Sequence, residues 1–136
     1  MKVKSKVLII DSHESTRTFM RFVLVNAGHR VVAAKTGEQA LELVEDELFD
    51  LALIDLHLPD MDGYDLIKQI RAITTFGDKP ILAVSPLYKN EDLQQVEAIP
   101  AGIDLWITQP VAPQKLVKMI KDLGIEMEDD DFTQNV

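Results

Sequence analysis

Five polar residues at the ends of short apolar runs carry most of the chemistry this chain could perform. Asp11 closes Val7-Leu8-Ile9-Ile10, Asp55 closes Leu51-Ala52-Leu53-Ile54, Ser85 closes Pro80 to Val84, and Thr108-Gln109 follows Leu105-Trp106-Ile107. Carboxylates bring the charge that a hard cation needs. His13 and His57 flank this set and Glu14 follows directly, so an imidazole and carboxylate site for a transition metal is one reading; solvated loop histidines are the plain alternative. With no cysteine in the chain, disulfides, thiol nucleophiles, Cys-ligated zinc and iron-sulfur clusters are excluded. No G-x-x-x-x-G-K run is present, and Gly37 and Gly63 read as helix-start and turn glycines, so no ATP or dinucleotide site is predicted. Asp60 and Asp62, in Pro59-Asp60-Met61-Asp62-Gly63, read as turn formers and helix N-terminal charges.

The elements that must position these residues alternate along the chain. Val7–Ile10 reads as a strand, followed by a helix carrying Phe19, Phe22 and Val23 and stopped at Asn26-Ala27-Gly28. Arg30–Ala34 is strand-like, and Gly37–Glu45 is helical through Ala40, Leu41 and Val44. Leu51–Ile54 is a buried strand, Gly63–Ile73 a helix with Leu66, Ile67 and Ile70 on one face, and Pro80–Val84 the fourth strand. Glu91–Ile99 is a shorter helix, Leu105–Ile107 a strand, and Pro113–Leu123 a final helix with Leu116, Val117 and Ile120 inward. Five strands alternating with five helices predict an α/β protein with a parallel sheet covered on both faces; the continuous apolar runs agree. Function in such a sheet sits beyond the carboxyl ends of the strands, where the five polar residues fall. Ser12 is expected to N-cap a helix starting at His13.

The 136 residues and their 46% hydrophobic content suit one domain with a sizeable core. The formal charge of −9 argues against direct nucleic-acid binding, which draws its affinity from Lys and Arg on phosphates. Five acids lie among residues 126–136, leaving 14 basic and 18 acidic residues, −4, on residues 1–125. Residues 1–125 are therefore expected to form the domain, and 126–136 a disordered acidic tail or the start of a linker. No apolar stretch approaches the roughly 20 residues that span a bilayer, and no signal peptide is legible, so no membrane association and a cytoplasmic location are expected.

The chain resembles the response regulator receiver domain of two-component signalling, of the chemotaxis-regulator type. The resemblance runs from Val3 to Leu123 and rests on four blocks: Val7 to Asp11; Asp50-Leu51-Ala52-Leu53-Ile54-Asp55 with Pro59 four and Gly63 eight residues after the aspartate; Pro80 to Ser85; and Ala101 to Trp106 with Pro110. It implies a flavodoxin-like doubly wound sheet of strand order 2-1-3-4-5. It also implies that Asp55 is a phosphoacceptor served by a histidine kinase. Mg²⁺ would lie against Asp11, Asp55 and the backbone carbonyl of His57. Ser85 would be a switch hydroxyl, Trp106 the aromatic that reports activation, and Gln109-Pro110 a cis bond. For Trp106, a half-exposed edge-strand tryptophan is an equal reading; for Pro110, an ordinary turn proline is the alternative.

Three parts of that pattern are altered. The second acid of the pocket is replaced by Ser12, a poor Mg²⁺ ligand; the residue after the switch hydroxyl is Pro86, which has no N–H; and the usual lysine is Gln109. A charge-assisted hydrogen bond contributes roughly 1.5–3 kcal/mol against about 1 for a neutral one, so the lysine's loss should weaken a phosphorylated state about tenfold or more. Losing one acid together with the lysine leaves the pocket charge at −2, as in the usual arrangement, and limits repulsion between carboxylates. The expected function is thus an atypical receiver, not an enzyme beyond self-phosphorylation and dephosphorylation at Asp55, holding Mg²⁺ weakly. It would dock a protein partner or a second copy through the fourth helix, fifth strand and final helix (Trp106, Lys115, Lys118) regardless of phosphorylation. The alternative is a conventional phosphoacceptor. A flavin-type electron carrier would share only the fold.

Overall fold

β-Branched side chains lose rotamer freedom in a helix but pack well on both faces of a pleated strand, and apolar runs this short cannot sustain a helix, which is why they extend. The computed structural model describes residues 5–85 and 102–124. In chain order these form β1 (Lys6–Ile10), α1 (Glu14–Asn26), β2 (Arg30–Ala34), α2 (Gly37–Asp46), β3 (Leu51–Asp55), α3 (Gly63–Ala72), β4 (Ile81–Ser85), β5 (Leu105–Thr108) and α4 (Pro113–Asp122). The strands pair in parallel in the order β2-β1-β3-β4-β5, as expected. Four of the five expected helices lie among the described residues. The expected Glu91–Ile99 helix, Pro86 and the acidic 126–136 segment lie outside them.

Side chains alternate across a strand, so each strand feeds two cores. Leu8 and Ile10 of β1 pack with Ala52 and Ile54 of β3 beneath α2 and α3, through Ala40, Val44, Leu66, Ile67 and Ile70. Val7 and Ile9 pack with Leu51 and Leu53 on the other face, beneath Met20, Val23 and Leu24 of α1 and Leu116 and Ile120 of α4. Of the apolar residues at helical spacing in α1, Val23 is buried, but Phe19 and Phe22 are exposed, Phe22 at 69%. The 100° step per residue aligns Met20, Val23 and Leu24 on the sheet and leaves the two phenylalanines on the groove between α1 and α4, beside Pro113, Gln114 and Val117.

Local signals set the helix ends. Gly28, at φ 98°, follows α1 with a left-handed residue that favours glycine. Asp62 caps α3 by accepting the Tyr64 N–H at 2.8 Å, and Pro113 stands in the first turn of α4. The expected Ser12 cap is not formed. His13 occupies the N-cap of α1 without a side-chain cap bond, and its N–H is taken by the Asp11 carboxylate at 2.8 Å. The helix begins one residue later than expected, at Glu14, so the cap position falls on His13 and Ser12 lies outside it.

At the opposite end of the sheet, Arg71 of α3 gathers several chain segments. Its guanidinium donates to the carbonyls of Gly77 (3.0 Å), Lys79 and Gly102 (2.5 Å) and to the Asp104 carboxylate (2.9 Å), which also accepts the Ile81 N–H at 2.8 Å. The entries to β4 and β5 are thereby held on one cation.

Candidate functional site

Register creates the site. Ile10 pairs with Ile54, so the next residues, Asp11 and Asp55, emerge side by side from neighbouring central strands. Both carboxylates are buried, Asp11 at 1% and Asp55 at 7% exposed. The β3–α3 connection turns tightly after Asp55: Gly63 N–H donates to the Leu56 carbonyl at 3.1 Å, and His57 bridges to Asp62. A Cβ on Gly63 would fall 2.5 Å from the Leu56 Cα, so only glycine permits this approach. An open cleft of about 870 Å³, lined by Ser12, His13, His57, Asp60 and Tyr64 among others, lies alongside.

Hydrogen bonds orient the acids. Asp55 Oδ1 accepts the His57 N–H at 2.9 Å, and Asp11 Oδ1 accepts the His13 N–H at 2.8 Å. The Arg17 guanidinium holds the Asp11 carbonyl at 2.8 Å. The His13 imidazole joins them, with Nδ1 3.0 Å from Asp11 Oδ1 and 3.9 Å from Asp55 Oδ2. Asp11 Oδ2 is buried with no hydrogen-bond partner. Burial pushes the Asp55 carboxyl above the ordinary aspartate range; the His57 N–H works against the rise, the Asp11 charge adds to it, and the two imidazoles oppose it.

The expected metal residues divide accordingly. Asp11, His13 and Asp55 each offer a donor atom, all within 4.8 Å of one another. The donor set fits a divalent cation, since the unpartnered Asp11 oxygen is buried where only a cation or donor could compensate it. His57 contributes its backbone to Asp55, while Glu14 and the Ser12 side chain are not in the cluster. The role of His13 was visible as one of two flanking histidines, but nothing in local spacing separated it from His57.

Gln109 lines a cavity of about 480 Å³ with Ser15, Thr16, Phe19, Met20 and Pro110, and among the described residues no hydrogen bond joins its amide to Asp11 or Asp55. The Gln109–Pro110 peptide is cis, as expected. Ser85 ends β4 in register with Thr108 of β5, at the same end of the sheet as the acids. Trp106, on the edge strand β5, is partly buried against the α2–α3 core with its indole Nε1 buried and unpartnered. Lys115 and Lys118 are exposed on α4.

Asp60 belongs to another structure than its own helix. It accepts the N–H groups of Gly37 and Glu38 at the start of α2, and these two bonds hold its carboxyl below the ordinary range. The expectation of a helix N-terminal charge is met on α2, 23 residues away, while Asp62 serves α3.

Among the described residues no helix is long and apolar enough to cross a membrane. A family model described as the response regulator receiver domain matches residues 7–121. The sensory/regulatory protein RpfC of Xanthomonas campestris pv. campestris is 31% identical over 122 residues, which cover 88% of this chain and 16% of that protein. The chain thus spans a minor part of that relative's length. A CheY-like response regulator receiver domain protein from Methanospirillum hungatei superimposes with a TM-score of 0.80 at 29% identity, covering 90% of this chain and 95% of that one. The chemotaxis response regulator CheY4 of Vibrio cholerae gives 0.83 at 27% identity, over 89% and 99% of the two chains.

Proposed function

The chain belongs to the response regulator receiver domain family of two-component signalling, and from that premise we propose that it is an atypical receiver whose protein contacts do not depend on phosphorylation of Asp55. One observation carries this reading. Among the described residues, the one side chain capable of positive charge within ion-pair distance of the Asp11 and Asp55 carboxylates is His13, and Gln109, at the position the resemblance assigns to the lysine, carries no charge. A phosphoryl group in transfer spreads negative charge over its oxygens, so its stabilisation depends on fixed cations and donors. Without the lysine, an N–H at Pro86 or the second acid at position 12 that would help hold a metal cation, the pocket offers few of them.

The pocket's remaining parts favour a second reading, a conventional but weak phosphoacceptor. Asp55 lies where the attacking carboxylate must stand, its Oδ1 fixed by His57 so that Oδ2 is the free nucleophile. A phosphohistidine kinase would supply the phosphoryl group, with Ser85 and Trp106 as the switch pair. Asp11 and Asp55 would hold Mg²⁺, aided by the His57 carbonyl; when bound, the ion neutralises charge on the phosphoryl oxygens.

In either reading the partner face is the expected fourth helix with β5 and α4, offering Trp106, Lys115 and Lys118 to a protein partner or a second copy. No nucleic-acid or membrane contact and no enzymatic activity beyond Asp55 self-chemistry are proposed. Residues 126–136 serve as a tail or linker, and the setting is cytoplasmic.

The test is restoration. Ser12→Asp together with Gln109→Lys, incubated with a small-molecule phosphodonor and Mg²⁺, should gain a phosphoryl adduct on Asp55 that the parent lacks. A phosphoryl adduct of equal yield already present on Asp55 of the parent would contradict the atypical reading, whereas no adduct in either protein would move the block to Pro86 or to another part of the pocket.

A further inference from the structure

We propose that the acidic pocket binds a late first-row divalent cation, of the zinc or nickel kind, through Asp11, Asp55 and the His13 imidazole, with His13 setting the preference over Mg²⁺. The proposal rests on the acidic-pocket reading above but not on whether Asp55 accepts phosphate.

Distances come first. Donors about 2.1 Å from such an ion stand roughly 3.0 Å apart as octahedral neighbours, about 3.4 Å apart in a tetrahedron and about 4.2 Å apart when opposite. His13 Nδ1 lies 3.0 Å from Asp11 Oδ1 and 3.9 Å from Asp55 Oδ2, inside that span. All three residues offer donors within 4.8 Å of one another, a separation that rotation of the side chains can close around an ion.

The second observation is independent of the cluster's composition. Asp11 is 1% exposed, yet its Oδ2 has no hydrogen-bond partner. A buried, unsatisfied carboxylate oxygen carries a desolvation cost that a bound cation removes. Beside it, Asp55 is also buried, and two carboxylates match the charge of one divalent ion.

The donor chemistry then chooses the ion. Mg²⁺ requires oxygen donors in near-ideal octahedral order, and the loss of an acid at Ser12 removes one of them. Imidazole favours zinc, nickel and copper, so a nitrogen donor in that place shifts preference toward them. His13 is already positioned without metal, its own N–H bound to Asp11 and the Asp11 carbonyl held by Arg17. Ligation through Nδ1 needs only the tautomer with the proton on Nε2. The side chain is 67% exposed, which gives the ion a path from solvent.

The experiment uses the untagged full chain. Zn²⁺ is titrated against a chromophoric chelator and Mg²⁺ by calorimetry, with imidazole ¹⁵N shifts recorded alongside. His13→Ala should weaken Zn²⁺ binding about tenfold or more while changing Mg²⁺ affinity less than about twofold, and Asp11→Asn should weaken both. His57→Ala should leave Zn²⁺ affinity within about twofold, because that imidazole is outside the donor set. The His13 ring, not that of His57, should show the ¹⁵N shift. Unchanged Zn²⁺ affinity in His13→Ala, or equal losses for the two metals, overturns the proposal. No phosphodonor is present, so a phosphoryl adduct found elsewhere would contradict the functional reading and leave this one standing.

Discussion

The Asp60 carboxylate accepts the Gly37 amide proton at 2.9 Å, fastening the loop that follows β3 to the first residue of α2. Its other oxygen takes the Glu38 N–H at 3.0 Å, so one exposed side chain satisfies two of the four orphan donors of that helix. Met61 packs against Gly37 beside it, where an added Cβ would meet its sulfur. The loop that follows Asp55 is thus anchored to α2 at its middle as well as to α3 at its end.

Asp60→Ala should therefore release the start of α2. Amide exchange at Gly37 and Glu38 is expected to accelerate about tenfold or more, with the helix interior less affected. In the parent, the low carboxyl pKa means the bonds contribute fully above the unfolded value of 3.8 and are lost as pH falls through the lower folded value. Exchange measured across that acid range should show protection declining only below about pH 4. Unchanged protection in Asp60→Ala would contradict the anchoring role.

Asp55 has the opposite sign. Its carboxyl is raised, chiefly by burial, so the folded state holds the proton more readily than the unfolded chain. The group costs stability as pH rises from the unfolded value of 3.8 through the folded one, and the cost is complete above both. Asp55→Asn should raise the melting temperature at pH 7 by on the order of a few degrees, with the gain shrinking toward pH 4. A lower melting temperature at pH 7 would mean that the ionised carboxylate is stabilised by partners outside this account.

Arg71 offers a test of the other end of the sheet. Removing its guanidinium in Arg71→Met keeps much of the apolar stem but strips the carbonyls of Gly77, Lys79 and Gly102 and the Asp104 carboxylate of a shared donor. The ion pair itself is partly exposed and counts for little; the carbonyls at the strand entries dominate. A loss of about 2–4 kcal/mol in chemical denaturation is expected, against less than about 1 kcal/mol if only the surface pair mattered.

Gly63→Ala probes the tight turn after Asp55. The new Cβ would meet the Leu56 backbone, which cannot rotate away as a side chain could. Stability should fall by about 2 kcal/mol or more, and the His57 and Asp62 amides should shift in the NMR spectrum as the turn opens. A neutral substitution would show that the turn has slack.

Much of the fold was legible because it is written in short-range pattern. Leu51 to Ile54 and Val7 to Ile10 could be read as strands, and their ends at Asp55 and Asp11 placed both acids in the site before any pairing was known. The helix stop at Gly28 and the apolar face Leu66, Ile67 and Ile70 are equally local. What sequence could not supply is the partner of a side chain across the chain. Asp60 and Asp62 have the same type and the same turn, yet one caps its own helix and the other caps a helix 23 residues earlier. Ser12 had the right residue type for a cap, but α1 begins one residue later than expected and its N-cap falls on His13, whose N–H the Asp11 carboxylate accepts. Arg71 had no local signal, because its acceptors are brought together only by the packed sheet. Phe19 and Phe22 match helical spacing, but which face of α1 meets the sheet is set by packing, and these two line the groove toward α4 instead.

The most direct test of the central claim is the intact mass of the whole chain after incubation with a small-molecule phosphodonor and Mg²⁺, beside Asp55→Asn as control. An atypical receiver working without phosphate predicts the unmodified mass in both samples and no change in Trp106 fluorescence. A single phosphoryl adduct in the parent, absent from Asp55→Asn, would contradict that account and make the chain a working phosphoacceptor.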